Sequence, residues 1–98
     1  MTNPEPRFAR IAALLADPSR ARMLALLLAG ESRTAGELAR AASITPQAAT
    51  SQLAQLQDAG LISVRKQGGH KYFALADADV ANALEALGLW PERDSVTT

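Results

Sequence analysis

Two helix-start signals lie close together in this chain, and their spacing decides most of what it can fold into. Thr34-Ala35-Gly36-Glu37 has the form of a capping box, in which the threonine oxygen and the glutamate carboxylate reciprocally satisfy free N–H groups of the first turn. Thr45-Pro46 is a second start, an N-cap followed by a proline where its missing N–H costs nothing. Between the two there is room only for a short helix to about Ala42 and a tight turn at Ser43-Ile44. The next helix should run from Pro46 to Ala59 and stop at Gly60.

The residues that follow change period. Leu61 to Lys66 and His70 to Leu75 hold Val, Ile, Tyr and Phe and are separated by Gln67-Gly68-Gly69, which reads as a β-hairpin. Upstream, Phe8, Ile11, Ala12 and Leu15 give a helix from about Arg7 to Ala16 one apolar face. Asp17-Pro18 then starts a helix to about Ala29 that is apolar on more than one side, through Met23, Leu24, Leu26, Leu27 and Leu28, with Gly30 as its stop. Asp77 can cap a last helix to about Leu87, with Val80, Ala83, Leu84 and Leu87 on one face. The expected fold is mainly α with a β-hairpin wing: a winged helix-turn-helix of about five helices and two antiparallel strands. It occupies residues 7–90 as one domain, between a flexible arm at 1–6 and a flexible tail at 91–98.

Composition narrows the function. An apolar fraction of 48% with only 4% aromatic residues gives an aliphatic core, and 98 residues suffice for one such core. There is no cysteine, which removes disulfides, thiolate ligands and thiol redox sensing. One histidine, no Gly-rich phosphate loop and no paired carboxylates leave little basis for an enzyme. The longest apolar run, Met23 to Ala29, is far short of the roughly 20 residues that span a bilayer. No basic-then-apolar leader is visible, so the expected location is the cytoplasm, with no membrane partner.

The net charge is zero, but it is unevenly spread. Residues 76–98 carry Asp77, Asp79, Glu85, Glu92 and Asp94 against Arg93 alone, and both preceding stretches are net positive.

With Leu38, Ile44, Ala49, Leu53 and Leu56 turned inward to join the two short helices, Gln47, Thr50, Ser51 and Ala54 remain on the outer face of the second. An ordinary solvated face carries Lys and Glu; this one carries small, hydrogen-bonding groups, as suits a helix lying in a major groove. Thr45, Gln47, Thr50, Ser51 and Gln52 are therefore candidate DNA-binding residues, joined by Arg65, Lys66, His70 and Lys71 around the hairpin tip. There they would meet the phosphate backbone or the minor groove. Solubility for the helix face, and protection of an exposed sheet edge for the wing cations, are the plainer alternatives.

The stretch TAGELARAASITPQAATSQLAQLQDAGLISVRKQGGHKYFAL resembles the DNA-binding core of the ArsR family of bacterial repressors, and ALLADPSRARMLALLLAG resembles that family's second helix. The resemblance covers roughly Phe8 to Leu87. It implies a homodimeric repressor bound to double-stranded operator DNA, answering to an unidentified inducer or to none. It also implies pairing of the first and last helices, with Phe8, Ile11, Leu15, Val80, Leu84 and Leu87 as candidate interface residues.

Many members of that family sense metals, through a Cys-x-Cys after the Glu-Leu of the third helix or through Asp and His ligands in the last. Here Glu37-Leu38 is followed by Ala39-Arg40-Ala41, and alignment from Asp77 puts Asp79, Trp90 and Arg93 at the other last-helix positions. Neither set suits zinc, so no metal and no cofactor are expected. The rival function is a winged helix used as a protein-interaction module without specific DNA binding, which the zero net charge favours.

Overall fold

The second helix is the centre of the molecule because five consecutive residues, Met23 to Leu27, are all buried. The computed structural model describes residues 6–91; residues 1–5 of the proposed arm at 1–6, and residues 92–98 of the proposed tail at 91–98, Arg93 among them, lie outside the described residues. The order of elements is α1 (Pro6–Leu15), α2 (Pro18–Leu28), α3 (Ala35–Ala42), α4 (Pro46–Asp58), β1 (Ile62–Gln67), β2 (His70–Leu75) and α5 (Ala78–Ala86). These are the five helices and two antiparallel strands of a winged helix-turn-helix, with α1 starting one residue before the expected Arg7.

Each cap read from the sequence is formed. Asp17, Thr34, Thr45 and Asp77 each accept from the N–H three residues on, and Glu37 Oε1 accepts from the Thr34 N–H at 2.9 Å to complete the capping box. At the other end of α4, Leu61 N–H reaches Leu56 O and Gly60 N–H reaches Gln57 O, each at 3.0 Å, with Gly60 at φ 82°. This Schellman closure ends the helix and brings Leu61 against Leu56, both buried. The same pattern ends α3, with Ser43 in the left-handed position at φ 58° where glycine is usual. That turn sets the angle between α3 and α4.

The core is aliphatic: Met23, Leu24, Leu38, Leu53 and Leu56 are its largest fully buried side chains. Ala49 joins them and Ile44 packs against the cluster half-buried, so the inward set read from spacing forms the α3–α4 contact. The hairpin pairs Ile62 with Leu75, Val64 with Phe73 and Arg65 with Tyr72. Phe73 also exchanges two backbone hydrogen bonds with Arg33, at 2.9 and 2.7 Å, which ties the loop before α3 to the outer edge of β2.

On α1 the expected apolar face shifts. Leu14 is buried, Ile11 and Leu15 pack against the core half-buried, and Phe8 and Ala12 are exposed. At the last turn of α1, Arg20 Nε of α2 donates to Leu14 O at 2.8 Å, which caps the helix end and joins the two helices beside buried Leu14. On α5, Leu84 is buried and Val80 half-buried, but Ala83 and Leu87 face outward.

Candidate nucleic-acid interface

The start of α4 is built by Thr45 and Pro46. Thr45 Oγ1 accepts from Ala48 N–H at 3.0 Å, and Pro46 has no N–H, so Gln47 supplies the uncapped donor of the first turn. That donor sits at the positive end of the helix dipole, favourable for a phosphate. The Thr45 hydroxyl hydrogen stays free to donate while its oxygen caps the helix.

Buried Ala49, Leu53 and Leu56 hold one side of α4 against the core, and Gln47, Thr50, Ser51 and Ala54 are all exposed on the other. Thr50 Oγ1 donates to Pro46 O at 2.9 Å, which commits its hydrogen to the helix itself. Gln52 is placed differently. It lies beside Leu53 on the shoulder of the buried stripe, half-buried, and its Oε1 is enclosed without a hydrogen-bond partner. Of the helical candidates it is the one turned away from the exposed face.

The wing divides its cations between two faces. Alternation along the strands puts Lys66 and Lys71 on the face of Val64 and Phe73, continued outward past the last core residue. Arg65 and His70 share the opposite face with Tyr72 and Gln67. Arg65 is held there: its guanidinium carbon stands 5.8 Å from the centre of the Tyr72 ring, and Nη1 donates to Gln67 Oε1 at 3.1 Å. The four basic residues are all exposed. Sequence spacing located this cluster but missed the role of Tyr72 and Gln67 in orienting Arg65. The signal was the cross-strand register, which places Tyr72 opposite Arg65.

An ion pair also escaped the sequence. Arg10 on α1 pairs with Asp58 at the C-terminal end of α4, neutralising an acid that stands at the negative end of the helix dipole. Both side chains are at least half exposed, so the pair contributes little to stability.

Phe8, Leu87 and Trp90 are the large exposed apolar side chains among the described residues. Of the six candidate interface residues, Phe8 and Leu87 are open, Ile11, Leu15 and Val80 are half-buried, and Leu84 is inside the monomer core. An apolar groove between α1, α2 and α5 runs beside them, lined by Leu15, Leu24, Leu84, Leu87 and Leu89 among others.

A family model described as a helix-turn-helix domain matches residues 15–65. The chain is 50% identical over 82 residues to YdfF, an uncharacterized HTH-type transcriptional regulator of Bacillus subtilis, across 84% of this chain and 36% of that protein. It therefore spans about a third of that relative's length. To the HTH-type transcriptional regulator CmtR of Mycobacterium tuberculosis it is 36% identical over 83 residues, across 85% of this chain and 70% of that protein. The solution structure of CmtR, a cadmium metal-sensor, matches with a TM-score of 0.65 and 31% identity over 92% of this chain and 96% of that one. The homodimeric winged helix-turn-helix DNA-binding domain of Mb0332 from Mycobacterium bovis, a possible ArsR-family transcriptional regulator, matches with a TM-score of 0.74 and 26% identity, covering 89% of this chain and 86% of that one.

Proposed function

The chain belongs to the ArsR-like winged helix-turn-helix transcriptional regulators, and on that footing we propose that it is a homodimeric repressor of operator DNA. The observation that carries the reading is the division of labour between α4 and the wing. The exposed face of α4 holds uncharged hydrogen-bonding and methyl groups that can meet base edges, and the wing holds the cations that suit phosphates. In this reading Gln47 contacts a base edge, Thr45 and Ser51 contact base or backbone, and Arg65, Lys66, His70 and Lys71 grip the backbone or adjacent minor groove. Gln52, half-buried with its Oε1 enclosed, stands outside this contact set.

Dimerisation would cover Phe8 and Leu87 and set two recognition helices about one helical turn of DNA apart. The homodimeric Mb0332 domain supports this arrangement, as do the exposed apolar side chains on α1 and α5.

The chain has no cysteine with which to build the family's third-helix thiolate site. At the third-helix position Ala39 and Ala41 offer no ligand atom and Arg40 brings a positive charge. In this proposal the repressor answers to a non-metal signal or to none. Zero net charge favours the second reading, a protein-interaction module. Selection of bound fragments from the source genome decides between them: recovery of discrete promoter fragments is expected, and recovery of none overturns the repressor reading.

A further inference from the structure

The residues of α4 from Pro46 to Asp58 include no arginine and no lysine. The commonest specific base contact, a cationic side chain reaching guanine O6 and N7, is therefore unavailable to this helix. Its single charged residue, Asp58, stands at the far end and is engaged by Arg10.

Besides the Ser51 hydroxyl, which can turn to base or backbone, what α4 presents is chemically narrow. Gln47 is exposed in the first turn, and the amide of glutamine matches the N6 and N7 edge of adenine with two hydrogen bonds. One turn on, Thr50 has given its hydroxyl hydrogen to Pro46 O, so toward a partner it offers a methyl group and acceptor lone pairs but no donor. Ala54, a further turn on and also exposed, offers only a methyl. In the major groove, thymine is the base that displays a methyl of its own. A guanine placed under Thr50 and Ala54 would have two desolvated acceptors facing groups that cannot donate.

Resting on the DNA-binding reading above, we infer that the half-site read by α4 is built of A·T pairs, with adenine under Gln47 and the thymine C5-methyl read by the methyl of Thr50. Thr50 is then a specificity-determining residue through its carbon rather than its oxygen, because the hydrogen bond to Pro46 locks which group faces outward.

The test selects bound duplexes from a randomised pool with the full chain, then replaces single thymines of the selected site by deoxyuridine, which lacks only the C5-methyl. The expected outcome is A·T pairs at the core of each half-site. At one position deoxyuridine should weaken binding by about fourfold per half-site, the worth of one buried methyl group. Thr50→Ser keeps the hydroxyl bond and loses the methyl, so it should bind thymine and uracil duplexes alike; Thr50→Val keeps a methyl and should retain the preference. Selection of G·C pairs at the core, or a uracil effect unchanged in Thr50→Ser, overturns the inference and leaves the DNA-binding reading standing. Failure to select any duplex, with no salt-sensitive binding at all, overturns both.

Discussion

Lys66 and Lys71 stand directly opposite one another across the hairpin, on the same face of the wing. Like charges in that relation oppose strand pairing, and no acid of the hairpin lies among the residues that face them. A polyanion would relieve the repulsion. Lys66→Glu is expected to stabilise the fold by a few tenths of a kcal/mol, roughly the worth of an opposite-charge cross-strand pair. The same change should weaken DNA binding by roughly tenfold or more through lost phosphate neutralisation. Chemical denaturation and mobility-shift titration of one variant check both signs; equal DNA affinity would remove the wing from the interface.

Leu84 on α5 and Leu87, which caps its C-terminal end, serve different surfaces, since Leu84 is 3% exposed and Leu87 73%. Leu84→Ala should destabilise the protomer by about 2–5 kcal/mol. Leu87→Glu should leave the protomer folded and convert the proposed homodimer to monomer in sedimentation. Trp90, the only tryptophan of the chain, is 80% exposed in the protomer and provides an independent readout. Its emission should shift to the blue as concentration drives association, and in Leu87→Glu that shift should vanish.

Ser43 holds the turn between α3 and α4 in a backbone conformation that costs an L-residue about 1–2 kcal/mol. Ser43→Gly removes the cost at the expense of chain entropy, for an expected net gain of about 0.5–1 kcal/mol in thermal unfolding. Ser43→Val should lose more than that, because a β-branched residue fits the left-handed region worst.

The features legible in the sequence were local ones. Asp17, Thr34, Thr45 and Asp77 could be read as caps because each bonds only three residues away, and two of them are followed by proline. The exposed face of α4 followed from the same helical period that buries Ala49, Leu53 and Leu56. Features that depend on how elements meet were not legible. Leu14 rather than Ala12 turns to the core, at the turn of α1 that Arg20 of α2 caps, and Arg10 finds Asp58 across 48 positions of sequence. Gln52 looked available by its place in the recognition helix, yet packing encloses its oxygen. Which wing cations share a face required the register of the hairpin, and with it the partnership of Arg65 and Tyr72.

The central claim is that α4 and the wing together bind duplex DNA, and salt tests it most directly. Arg65, Lys66 and Lys71 give a dimer six wing cations. The account predicts that the logarithm of the association constant falls linearly with the logarithm of salt concentration, with a slope of about −5 from the wings alone. Lys71→Ala should flatten that slope by nearly two. Binding absent at low salt, or a slope near zero that Lys71→Ala leaves unchanged, would contradict it.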